Sequence, residues 1–286
     1  MKLILIPKNI DEITKTNDLV DGFIIGIESL STNMPFYVNL NELKEILKMT
    51  SKKVFVSLNK NMHSKDLNFL KEILLELEKL NIEGILYYDV SVVNIKQELS
   101  LKKELVWSAE HLVTNSLSIN FWKDEGVNFA YLSSDITIEE IKKIKNETDV
   151  TLMMNIFGYV PIFTSYRHLI KNYLKTFNLN DNSEINYIEK EGKKYPIVDK
   201  ENTTVYSSNI LNACLQIDED IDYGVINSFN IDEEVIIEII KLFKELNEAN
   251  KDEINSKINS YFKNIDNGFL NKETIYRVIK WTNQSY

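Results

Sequence analysis

Ser165, Arg167 and His168 fall within one four-residue stretch, shortly after the Gly158 and Pro161 that close an apolar run. A spacing of three places Ser165 and His168 on one face when both sit on a helical turn. That is what a hydroxyl nucleophile and an imidazole base require. The same spacing suits a plainer role, in which Ser165 caps the next helix and His168 is partly buried. Arg167 is the natural anion clamp, because a guanidinium grips carboxylate or phosphate with two parallel donors. A second group pairs Glu110 and His111, after one apolar run, with Asp89 at the end of the run before it. Those three side chains have the makings of a general acid–base set or a weak metal site. No tight ligand spacing such as H-E-x-x-H accompanies them, so no metal is expected, and Glu110 reads equally well as the acidic opening of a helix. His63, after the third run, is a further candidate base.

What these residues share is position. Each follows a short β-rich run: 2–6, 22–27, 53–58, 84–88, 105–108, 128–132, 150–155 and 223–227. Between the runs lie segments with apolar spacing near 3.6, such as Leu67, Leu70, Ile73, Leu74 and Leu77, or Ile138, Ile141 and Ile144. Ser64 and Thr137 read as helix N-caps. Eight strand–helix alternations predict a TIM-like (β/α)8 barrel, whose chemistry gathers at the carboxyl ends of its strands. A doubly wound open sheet is the alternative, disfavoured by the lack of a Gly-rich turn after the first strand. On the barrel reading Glu28, Asn59, Asp89, Asn115, Asn155 and Arg167 form a polar rim for a small-molecule or peptide ligand. Each is also a plausible helix cap or strand end when taken singly.

The barrel is assigned to residues 1–250. A β meander at 178–208 is inserted between strands 7 and 8, and residues 251–286 form a C-terminal helical extension packed on the barrel. Insertions on that side of a barrel commonly roof its mouth. Cys214 is read as a small buried hydrophobe on a helix with Leu211 and Leu215.

A chain of 286 residues, 44% of them hydrophobic, can bury a full core. Its formal net charge of −10 disfavours nonspecific binding to nucleic acid or anionic membranes, so nucleic acid is an unlikely partner. No apolar run is long enough to span a bilayer, and Met1 to Pro7 reads as a buried strand in place of a signal peptide, which makes the expected location cytoplasmic. The single cysteine, Cys214, excludes an intrachain disulfide and a cysteine-ligated zinc or iron–sulfur site built by this chain alone.

Three stretches resemble the U32 peptidase family, across most of the chain. They are Ser108-Ala-Glu-His-Leu-Val-Thr-Asn115 with Asn120-Phe-Trp-Lys-Asp-Glu-Gly126; Gly158-Tyr-Val-Pro-Ile-Phe-Thr-Ser-Tyr-Arg-His168, similar to a G-R-x-P-L-x-x-S-x-x-C signature; and Gly268-Phe-Leu-Asn-Lys-Glu-Thr-Ile-Tyr-Arg-Val278. The resemblance implies a hydrolase, a peptidase by family name, acting at the barrel mouth with Ser165, His168, Glu110 and His111 near the chemistry. Cluster-bearing members of the family hold [4Fe–4S] with several cysteines. This chain has His168 at the signature cysteine and Tyr159 at the signature arginine, so no cofactor is expected. The alternative reading is a noncatalytic barrel that binds a small molecule or serves as partner to a cysteine-bearing U32 homologue.

Overall fold

The computed structural model describes residues 1–217 and 221–272. Eight parallel strands close on themselves: β1 (Lys2–Ile6), β2 (Gly22–Ile27), β3 (Lys53–Leu58), β4 (Gly84–Tyr87), β5 (Glu104–Trp107), β6 (Phe129–Tyr131), β7 (Thr151–Gly158) and β8 (Tyr223–Asn227). They pair in sequence order, and β8 joins both β7 and β1, which closes the ring. The barrel reading is therefore correct and the open sheet is not formed.

Alternation along each strand separates two cores. Ile4, Ile24, Phe55, Leu86, Val106, Met153 and Val225 fill the barrel interior. Their neighbours, such as Leu5, Ile25, Val56, Ile85 and Leu152, face the surrounding helices. Those helices are α1 (Ile10–Thr16), α2 (Leu40–Met49), α3 (Leu67–Glu78), α4 (Ser91–Glu98), α5 (Ser116–Asp124) and α6 (Ile138–Glu147), with α8 (Glu233–Glu245) after β8. Thr137 caps α6 in a full capping box with Glu140, as its sequence indicates. Ser64 is not a cap: it begins a short 3-10 turn, where Asp66 instead accepts the backbone N–H of His63 at 2.9 Å.

The seventh crossover departs from the pattern. Its helix, α7 (Leu169–Phe177), buries no residue fully and packs on an antiparallel sheet instead of the barrel wall. That sheet runs Asn186–Lys190, Lys193–Asp199, Thr203–Tyr206, Pro161–Ser165, so the inserted lobe takes in the strand and helix upstream of 178–208 as well as the meander itself. Ile210–Asn212 then returns antiparallel to the end of β7, so Leu211 and Cys214 lie on a strand and the turn after it, not on a helix. Gly158 makes the tight junction possible. Its φ is +116°, and a Cβ there would stand 2.3 Å from the Asn227 carbonyl oxygen.

α9 (Lys251–Ser260) packs beside α8, and Phe262 meets Phe157 at 5.8 Å between ring centroids. The Leu270 carbonyl accepts the Ile138 N–H at 2.9 Å, which ties this segment to the start of α6. The Glu273 to Val278 part of the third family-like stretch lies outside the described residues. Among the described residues no helix is long and apolar enough to cross a membrane.

Candidate functional site at the barrel mouth

The interior alternation continues past the apolar layer, and there it turns polar. Two residues beyond Phe55, Val106, Met153 and Val225 come Ser57, Ser108, Asn155 and Asn227, and all four line a cavity at the carboxyl end of the barrel. Ile6, Ile24, Met34, Leu86 and Leu132 supply its apolar walls. Counted with the solvent at its opening, this space measures about 720 Å³. Tyr131 donates its hydroxyl to Asn155 Oδ1 at 2.6 Å, and Asn155 Nδ2 donates to Ser134 Oγ at 2.8 Å. Burial pushes the Tyr131 phenol far above its usual range, so it stays a protonated donor. The buried Ser57 hydroxyl has no partner among the described residues and is a ready contact for a ligand.

One wall carries a carboxyl group. Glu110 Oε1 accepts from Asn33 Nδ2, and both residues have left-handed backbone, with φ of 43° and 61°. Non-glycine residues in that region store strain that packing must hold. Burial raises the Glu110 pKa, and the Asn33 hydrogen bond works against that rise without cancelling it. Beside it on the more exposed rim, His111 Nδ1 pairs with Asp135. The cavity thus offers a carboxyl of raised pKa in its wall and an imidazole–carboxylate pair at its edge.

The lobe roofs this cavity. Asn33 Oδ1 accepts from Thr164 Oγ1 at 2.6 Å and Thr204 Oγ1 at 2.9 Å, so the residue that holds Glu110 also holds the lobe. Tyr166 reaches across to the loop after β3, where its hydroxyl accepts the Asn61 N–H at 3.0 Å, and Lys200 Nζ donates to the Pro35 carbonyl at 2.8 Å.

Of the residues singled out by sequence, Glu110, His111, Asn59 and Asn155 come together in the cavity lining. Asp89 lies at the rim with both oxygens engaged, accepting from Ser91 N–H at 2.9 Å and Met62 N–H at 3.0 Å. Asn115 caps α5, accepting from Ser118 N–H at 2.9 Å, and faces a neighbouring groove lined by Trp107 and Phe121. Glu28 is exposed beside its strand end, and Arg167 is exposed on the lobe.

Ser165 and His168 are on the lobe too. Thr164 points to the mouth, so strand alternation turns Ser165 to the opposite face, where α7 lies. Ser165 Oγ accepts the Arg167 N–H at 3.1 Å, while His168 Nδ1 contacts Asp199 Oδ1 at 2.6 Å. Among the described residues no hydrogen bond joins Ser165 to His168. Sequence reading passed over Asn33, Ser57, Ser108, Asp135 and Asn227. Of these, only Ser57, Ser108 and Asn227 had a usable signal, the period of two carried past the apolar residues of their strands.

The fit of the family's [4Fe–4S] cluster can be read from the donor set. Cys214 is buried, its thiol directed at the Lys251 carbonyl and pushed by burial to a pKa of about 11, and the signature cysteine position holds His168, already bound to Asp199. One cysteine does not fit a four-thiolate cluster. Among the described residues no three His, Cys, Asp or Glu side chains are grouped to hold a metal ion.

Residues 14–274 match the model of Peptidase family U32. The tRNA hydroxylation protein P2 of Bacillus subtilis is 28% identical over 285 residues, covering 89% of this chain and 92% of that protein. The tRNA hydroxylation protein P1 of the same organism is 24% identical over 161 residues, covering 56% of this chain and 38% of that protein. Among solved structures, orotidine 5'-monophosphate decarboxylase from Metallosphaera sedula aligns with a TM-score of 0.45 and 13% identity, over 88% of this chain and 97% of its own.

Proposed function

The chain belongs to peptidase family U32, and from that premise we propose that it works in tRNA hydroxylation as a substrate-holding subunit and not as a peptidase. The observation that carries this reading is the near full-length similarity to a protein named for tRNA hydroxylation. The geometry supports it. A roofed cavity with apolar walls and convergent Ser57, Ser108, Asn155 and Glu110 suits a flat polar ring taken out of a nucleic acid chain. Ser57 and Glu110 would contact the ring directly, and Tyr131 would hold Asn155 in place.

Hydroxylation also needs an oxygen donor and electrons. The lone, buried Cys214 gives this chain no thiolate set for a cluster, so in this reading the redox group is carried by a second protein. A partner also fits the charge: at −10 this chain is poorly suited to hold a polyanion alone. The peptidase reading receives less support, because the Ser165 hydroxyl is engaged by its own turn and lies on the far face of the lobe.

The test is deletion of the gene in its host, followed by mass-spectrometric quantification of hydroxylated nucleosides in total tRNA. Their loss, with recovery by the wild-type gene and not by Asn155→Leu, is the expected result. Unchanged nucleoside levels would sink the proposal. Peptide cleavage by the purified chain, abolished by His168→Ala, would restore the hydrolase reading.

A further inference from the structure

We propose that a second, polar pocket, between the loops after β2 and β3 and the overlying lobe, seats the ribose phosphate of the nucleotide whose ring enters the cavity; this rests on the hydroxylation reading above. The two spaces share a wall. Thr32, which lines the pocket, donates its N–H at 2.9 Å to the side chain of Asn59, which lines the cavity. Ser31 on the pocket side likewise donates its hydroxyl to the carbonyl of Ser57 in the cavity lining. Asn59 is half-buried, so the shared wall ends at the rim, and the next residue, Lys60, already belongs to the pocket. A sugar joined to a ring in the cavity has only that rim to cross.

The barrel side of the pocket offers donors. Lys60 Nζ is fixed in place: it donates to the Ser29 carbonyl at 2.9 Å, lies 3.4 Å from Asp66 and stands 5.9 Å from the centre of the Tyr166 ring. Asp66 offsets that charge, and Lys65 supplies a second. Among the described residues Lys65 makes neither a hydrogen bond nor an ion pair, so its ammonium is available to a phosphate oxygen. The hydroxyls of Ser29 and Thr32 likewise make no hydrogen bond among the described residues. His63, the remaining base candidate of the sequence, closes this side, its ring edge-on to Tyr166 at 5.9 Å between centroids.

The lobe side offers acceptors, and these select the occupant. Asn202 is 3% exposed and lines the pocket, yet its Oδ1 accepts no hydrogen bond among the described residues. Glu201 beside it adds a carboxylate. A phosphodiester has no proton to give such groups, and neither has a carboxylate ligand. A ribose hydroxyl has one, being donor as well as acceptor, and it is the group that tells RNA from DNA. Donors for a phosphate on one side and acceptors for a sugar hydroxyl on the other fit a ribonucleotide better than a simple anion.

The experiment titrates the full chain, by ligand-observed NMR, with the common ribonucleosides, their 5'- and 3'-monophosphates, the 2'-deoxy monophosphates and inorganic phosphate. The expected result is a ribonucleoside monophosphate that binds at least about ten-fold tighter than its own nucleoside, and tighter than its deoxy form. Lys65→Gln with Thr32→Val, which keeps the N–H that meets Asn59, should erase the advantage of the phosphate. Unchanged nucleoside affinity in that variant would show the cavity intact, and Lys65→Arg should retain the advantage. A monophosphate that binds no better than its nucleoside, an advantage that survives the double variant, or no binding by any monophosphate overturns the seat. So does inorganic phosphate that binds as tightly as the nucleotide, which would make this a free-anion site. Each of those outcomes leaves the hydroxylation reading to the deletion strain. Should that strain keep its hydroxylated nucleosides while the monophosphates bind as expected, the function falls and the seat remains.

Discussion

Asn33 and Glu110 sit 77 residues apart in the chain, meet across the barrel mouth through one amide–carboxyl hydrogen bond, and both adopt left-handed backbone to do so. Asn33 spends its other amide atom on Thr164 and Thr204. One side chain therefore couples the wall of the cavity to its roof.

Replacing it should uncouple them. Asn33→Ala leaves Glu110 and two threonine hydroxyls without a shared partner, at a cost of about 1–3 kcal/mol. Hydrogen exchange should accelerate in 161–206 more than in the barrel strands. Uniform acceleration, or none, would show that Asn33 does not anchor the lobe.

Glu110 makes stability depend on pH in a defined direction. Its folded-state pKa lies above the ordinary value of 4.5 because burial disfavours the carboxylate. The associated stability is fully present below 4.5 and is lost as pH rises through the raised folded value. Glu110→Gln should therefore gain thermal stability over the wild type on going from roughly pH 4 to pH 8. Melting curves that keep a constant separation across that window would count against it.

The lobe junction depends on Gly158. Its φ of +116° strains any other residue, and the methyl group of an alanine there would lie 2.3 Å from the Asn227 carbonyl oxygen, so Gly158→Ala brings both strain and a clash. Destabilisation of ~2 kcal/mol or more is expected by chemical denaturation. A neutral substitution would mean that the strand end moves freely, contrary to its pairing with Leu211.

In the cavity, Tyr131→Phe and Asn155→Leu separate stability from use. The first removes one hydroxyl hydrogen bond and should cost about 1 kcal/mol with the cavity kept. The second strips both Tyr131 and Ser134 of their partner and removes a polar group from the lining. Hydroxylated nucleoside in cells should fall further with Asn155→Leu than with Tyr131→Phe. Equal effects would remove Asn155 from the site.

Much of this architecture is legible in the chain. The repeat of apolar runs and helical stripes announces eight strand–helix units and favours a barrel over an open sheet, Thr137 and Glu140 announce a helix start three residues apart, and the polar strand ends Asn59 and Asn155 are in the cavity they suggest. The Ser165–His168 spacing was legible too, but a spacing does not say which side of a strand it faces. Asn33 carried no local signal, because its partners Glu110, Thr164 and Thr204 lie 77, 131 and 171 positions away in the chain.

The sequence by itself determined the barrel's strand–helix units and their order, since their secondary structure follows from contacts between residues a few positions apart. It also determined that one cysteine cannot build a cluster. Only the tertiary structure decided which polar groups converge and which face of the lobe sheet sees the mouth. Those outcomes depend on closing the barrel between β8 and β1, which brings Ser228 onto the Ile6 carbonyl across 222 positions of chain, and no local pattern records that closure.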